Sequence, residues 1–179
     1  YSYDELSETE KAQFRALGVL AYNAPFDRDI CKATWNVDDA KVALDGLRRR
    51  ALLVIIEQER WYQQHVLLRS YARALAKNDN ELSRVFYRYS DFVVEFSSKF
   101  RELSLKRWSS LESMTPHIHY VGDELLTHYL LTDTPNQLMN SRIITLAWNT
   151  ATYFVYRAEA LFVTENETRL PKRIEWLKI

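Results

Sequence analysis

Three glycines and four prolines in 179 residues leave few places for tight turns. A barrel or sandwich of many short strands needs such residues at its reversals, so those folds are disfavoured. The one cysteine, Cys31, excludes an intramolecular disulfide and fits a reducing compartment, which makes a cytoplasmic location the expectation. No apolar run approaches membrane-spanning length, and no signal peptide opens the chain. Neither sign of charge is in surplus: 24 basic side chains face 24 acidic ones, 12 against 11 in residues 1–77 and 12 against 13 in residues 78–179. Nucleic-acid binding by phosphate neutralisation needs an excess of cations, and none is supplied. Catalytic patterns are missing too. No G-x-x-x-x-G-K-[ST] occurs, and Gly18, Gly46 and Gly122 lie too far apart to cradle phosphates. With no Ser-His-Asp, Cys-His or paired-carboxylate arrangement, no catalytic residue is assigned and no enzyme activity is expected of this chain. It begins at Tyr1 without methionine and is read as a piece of something longer.

What is abundant is apolar and aromatic surface, 47% and 13% of residues, enough to bury a core. The expected fold class is mainly α. Ser7-Glu-Thr-Glu10 has capping-box spacing, and the helix after it carries Phe14, Leu17 and Leu20, ending before Asn23-Ala-Pro25. Asp27 suits the N-cap of a short helix bearing Ile30, Cys31 and Thr34, closed by Trp35-Asn36. Asp38 can cap a third helix, in which Ala40, Ala43, Leu44 and Leu47 repeat at helical spacing. Cys31 has no motif around it and is assigned to packing.

Leu52–Ile56 reads as a strand, Glu57-Gln-Glu59 as a turn and Arg60–Gln64 as the returning strand. Then the period changes: Leu68, Tyr71, Ala72 and Leu75 fall at i, i+3, i+4 and i+7. His65 sits at this handover, where an imidazole can cap a helix, fill a core or face a ligand. Three helices, a hairpin and a further helix are the content of a winged helix.

Beyond Asn78-Asp-Asn80, one helix face holds Leu82, Val85, Phe86, Tyr89, Val93, Phe96, Phe100 and Leu103. Trp108, Leu111, Ile118, Val121 and Leu125 form another series, with Thr115-Pro116 expected to restart its helix. Thr134-Pro135 opens a helix running past Ile143 and Leu146 towards Leu161. Residues 166–171 read as a loop, and 172–179 begin a last helix. Antiparallel helix pairs of this kind suggest the start of a repeat array.

Residues 6–76 resemble the winged-helix domain of STAND signalling ATPases, the NB-ARC-type switches. The pieces that carry the likeness are FRALGVLAYNAPFDRDICKATWN, VDDAKVALDGLRRRALL and RWYQQHVLLRSYARALA. The resemblance implies a winged-helix domain over residues 1–77. Residues 78–179 would then be a helical linker entering tetratricopeptide-like repeats. In this family the strand-to-helix junction carries a Met-His-Asp motif whose histidine contacts the β-phosphate of ADP. Gln64-His65-Val66 is similar to it in the histidine alone, and Val66 lacks the carboxylate that would orient neighbouring loops. His65 is thus the one cofactor-binding candidate, with ADP or ATP implied for the longer protein and none for this piece by itself. The implied partners are an upstream ATPase core and a downstream repeat domain of the same chain, with a further protein partner possible.

Other features carry less. His117-x-His119 with His128 lacks an acid or cysteine to complete a metal set, and residues two apart on a helix diverge, so no metal ligand is assigned. Arg48-Arg-Arg50 ends the third helix, whereas DNA readers put basic and amide groups in its N-terminal half, here Asp38-Asp39-Ala40. A winged-helix transcription regulator with a helical dimerisation or ligand domain is the alternative function. Asn166-Glu-Thr168 matches a glycosylation sequon but has no secretory context.

Overall fold

The computed structural model describes residues 3–56, 61–98, 108–131, 141–142 and 144–149. It is mainly helical, with a small two-stranded antiparallel sheet. The order is α1 (Glu8–Leu17), α2 (Arg28–Trp35), α3 (Lys41–Arg49), β1 (Val54–Ile56), β2 (Trp61–Gln63), α4 (Val66–Asn78), α5 (Leu82–Ser98) and α6 (Trp108–Leu131). Residues 141–142 and 144–149 are also helical. The expected turn at 57–59 and the segments from 150 to the end lie outside the described residues.

Local rules set most helix starts. Ser7 and Glu10 close a reciprocal capping box on α1. These Ser7 bonds, helped by the Arg50 charge, hold the Glu10 carboxyl below its ordinary range. The Asp27 carboxylate accepts from the Asp29 and Ile30 amides, and Asn36 ends α2 in the left-handed region. At α3 the expectation shifts by one residue. Asp39, not Asp38, accepts from the Lys41 amide at 2.8 Å, and Ala40 is the cap position.

Two boundaries differ from expectation. Helix α1 stops at Leu17 instead of running to Leu20. The Gly18, Val19 and Leu20 amides bond three residues back, to Arg15, Ala16 and Leu17, in a tighter turn, and Gly18 packs against the backbone of α4. A Cβ there would lie 2.3 Å from the Arg73 nitrogen. Pro116 does not restart a helix; it lies inside α6. The proline faces solvent while Met114, His117, Ile118, Val121 and Leu125 bury the opposite side. The carbonyl freed by the missing N–H can therefore be hydrated, and burial keeps the helix continuous.

Helix α1 packs on α4, α2 packs on α5, and α5 packs on α6. One apolar cluster runs through these contacts, from Phe14, Leu17 and Ile30 to Tyr89, Val93 and Val121. Cys31 is fully buried in it and burial pushes its thiol up, consistent with packing. Strands β1 and β2 pair in the register Val54↔Gln63, Ile55↔Tyr62 and Ile56↔Trp61. Phe26 adds a bridge to Tyr62 through reciprocal bonds of 2.9 and 2.8 Å, so the α1–α2 connection extends the sheet by one residue. The later helical segment docks on α5 through an Arg142–Asp91 ion pair and an Asn149–Ser97 hydrogen bond.

Candidate functional site

The junction between β2 and α4 is where sequence reasoning looked for function. His65 is the N-cap of α4, and its backbone is still extended, with φ −59° and ψ 141°. Its Nδ1 accepts from the Leu67 amide at 3.3 Å. An accepting Nδ1 places the neutral ring's proton on Nε2. The side chain is exposed, and Nε2 has no bond among the described residues. His65 is thus a cap on one side of its ring and a free N–H donor on the other, at the positive end of a helix dipole.

Directly inside lies an arrangement that sequence reasoning missed. Gln64 and Arg69 occupy the N′ and N4 positions of α4, where two apolar residues commonly pack. Here both are polar and buried, 5% and 2% exposed. Arg69 Nε donates to the Leu20 carbonyl at 2.5 Å, and its guanidinium lies 3.5 Å from the Tyr22 ring centroid and 5.3 Å from that of Tyr120. Its two terminal nitrogens, and both amide atoms of Gln64, have no hydrogen-bond partner among the described residues. Stacking on two tyrosines offsets part of the desolvation of the buried cation.

The same polar layer extends along α6. Arg73 donates to the Tyr120 hydroxyl at 2.7 Å and pairs with Glu124 at 3.0 Å. Burial raises the Tyr120 phenol, against the pull of Arg73. His117 is fully buried between the Tyr89 hydroxyl at 2.6 Å and the Pro25 carbonyl at 2.9 Å. A carbonyl can only accept, so Nε2 carries the proton and Nδ1 accepts from Tyr89. Burial pushes the His117 pKa down to about 4, only partly opposed by the Pro25 bond. The connection between α1 and α2 is thereby held by its carbonyls, at Leu20 from Arg69, Asn23 from Gln63 and Pro25 from His117.

A signal for His117 was present. It lies three residues after Met114 and four before Val121, on the buried face. Arg69 had none, because a lone arginine beside Leu68 reads as a surface residue. No cluster of three metal-ligating side chains occurs among the described residues; His117 is spent on the core, His119 is exposed, and the side chain of His128 lies outside those described. At the end of α3, Arg50 is paired with Glu10 at 3.1 Å, while Arg48 and Arg49 are exposed. No helix among the described residues is long and apolar enough to cross a membrane. Compared with known proteins, the chain matches no family model, no curated protein and no solved structure.

Proposed function

We propose that this chain is the regulatory part of a STAND-type, nucleotide-dependent signalling switch. On this reading residues 1–77 form a winged helix that closes over ADP held by an upstream ATPase core. His65 donates from Nε2 to a phosphate oxygen, and the helices after residue 78 pass the open or closed state to a repeat sensor. The observation that carries the reading is the His65 geometry: a ring fixed by its own helix cap, with a donor facing outward. Support for the winged helix comes from three helices followed by a hairpin, with Phe26 bridging the sheet edge. The continuous core across α2, α5 and α6 supports mechanical coupling, because a switch needs elements that move together.

Tested on the residues present, the nucleotide fits in part. This chain offers one outward donor and a helix N-terminus but no glycine-rich cradle, so it would complete a site, not form one. A bond from His65 to phosphate contributes about 1.5–3 kcal/mol. His65→Ala in the full-length protein should speed ADP release roughly ten- to hundredfold. The paired control is melting of the 179-residue chain. Loss of the Nδ1 cap alone lowers stability by about 1 kcal/mol and leaves ADP release unchanged, and that pattern would reduce His65 to scaffold.

A further inference from the structure

A second concave surface lies away from His65, between α2, β2, α5 and α6, with a volume of about 740 Å³. Its floor is aromatic and apolar, from Trp61 of β2, Phe92 and Phe96 of α5, and Met114 of α6. Its rim is acidic. Asp29 and Asp38 are both exposed there, and the Asp27 carboxylate beside them is committed to capping α2. Among the described lining residues Lys32 is the one cation, and it pairs with Asp29 at 3.9 Å in a solvent-exposed contact. Three carboxylates face one ammonium among the described lining residues, so these residues carry a net negative charge, and the solvent-exposed Lys32–Asp29 pair contributes little.

We propose that this groove docks a short peptide segment of a protein partner carrying an arginine or lysine beside a large apolar side chain. The chemistry selects this occupant in three steps. The described rim carboxylates repel phosphate, which favours a cationic over an anionic occupant of this groove. Aromatic rings attract a cation laid over them and also bury the methylene stem that carries it. A lone ammonium group would fill only a fraction of 740 Å³, whereas a cationic side chain with an apolar neighbour uses both floor and rim. The groove shares no residue with the His65 junction, so the proposal stands independently of the nucleotide reading.

The experiment is fluorescence anisotropy of the 179-residue chain with short labelled peptides pairing Arg with Leu or Phe, beside controls in which Arg becomes Gln or Glu. The Arg peptides should bind, the Gln and Glu peptides should bind progressively less, and added salt should weaken the complex. Asp29→Asn and Asp38→Asn, both at exposed positions, should each weaken binding about two- to fivefold with the melting temperature unchanged. Phe96→Leu should weaken it through the floor. Any of these results would overturn the proposal: no binding by any Arg peptide, equal binding of Arg and Glu peptides, or affinity indifferent to both aspartate variants. Free arginine or tetramethylammonium binding as tightly as the peptides would also overturn it, since the site would then take a small cation.

Discussion

Acidifying the protein from about pH 6.5 towards 4 should remove stability through His117. The ring is fully buried, with Nε2–H given to Pro25 and Nδ1 taken by Tyr89. Its pKa falls from an ordinary 6.5 to about 4, mainly through burial. Between those values the unfolded chain binds a proton that the folded chain refuses. The stabilisation is complete above pH 6.5 and is lost progressively as pH falls towards 4. A difference of this size corresponds to about 3 kcal/mol, at about 1.36 kcal/mol per pH unit. Urea unfolding at several pH values measures it, since the midpoint reports stability when the slope with denaturant is constant. Carboxylates also titrate near pH 4, so the comparison is with His117→Leu. That variant should be less stable at pH 7 by about 1–3 kcal/mol for each stranded polar group, Tyr89 hydroxyl and Pro25 carbonyl. It should also lose most of the slope between pH 6.5 and 5. An unchanged slope in His117→Leu would refute the buried neutral imidazole as its source.

Substitutions at three further positions test the packing. Gly18→Ala forces a Cβ to within 2.3 Å of the α4 backbone and should cost about 1–3 kcal/mol by thermal melting, with Gly18→Val worse. Ala51→Gly relieves a non-glycine residue held at φ 56°. Strain of about 1–2 kcal/mol set against a glycine entropy cost of about 0.5–1 should raise stability by about 0.5–1 kcal/mol in the same assay. Arg69→Met removes two guanidinium nitrogens unpartnered among the described residues, along with one carbonyl bond and the Tyr22 stack, and should stay within about 1 kcal/mol of wild type in chemical denaturation. Arg69→Ala, which also leaves a void, should cost about 2 kcal/mol or more.

What could be read from the sequence was local. Ser7 with Glu10, Asp27 and Asn36 act within a few residues of themselves, so spacing alone revealed their caps. Ala40, Leu44 and Leu47 turned inward as their period required. On α5, Val85, Phe86, Tyr89 and Val93 are buried, but Phe96 is only partly covered and lines the groove. An aromatic stripe shows which face is apolar and not how fully neighbours close over it. The limit of α1 was not legible, because no periodic signal marks where its turn tightens at Gly18, a residue packed against a helix more than fifty residues later in the chain. Pro116 misled for a similar reason: its local preference for a first turn is overridden by the buried side of α6. At the candidate site His65 was found through a change of period. Gln64 and Arg69 became visible only once the N′ and N4 positions, Leu20 and two tyrosines were placed around them.

The central claim is that this chain closes over a nucleotide held by a preceding ATPase core. It is tested most directly on the protein translated from the complete reading frame. Purified without added nucleotide, then denatured and its extract resolved by chromatography, that protein should release close to one ADP per chain. The stretch upstream of Tyr1 should contain a P-loop. His65→Ala should arrive with clearly less ADP after the same purification. A full-length protein that carries no nucleotide, has no P-loop and binds DNA with a steep salt dependence would contradict the account and favour the winged-helix transcription regulator.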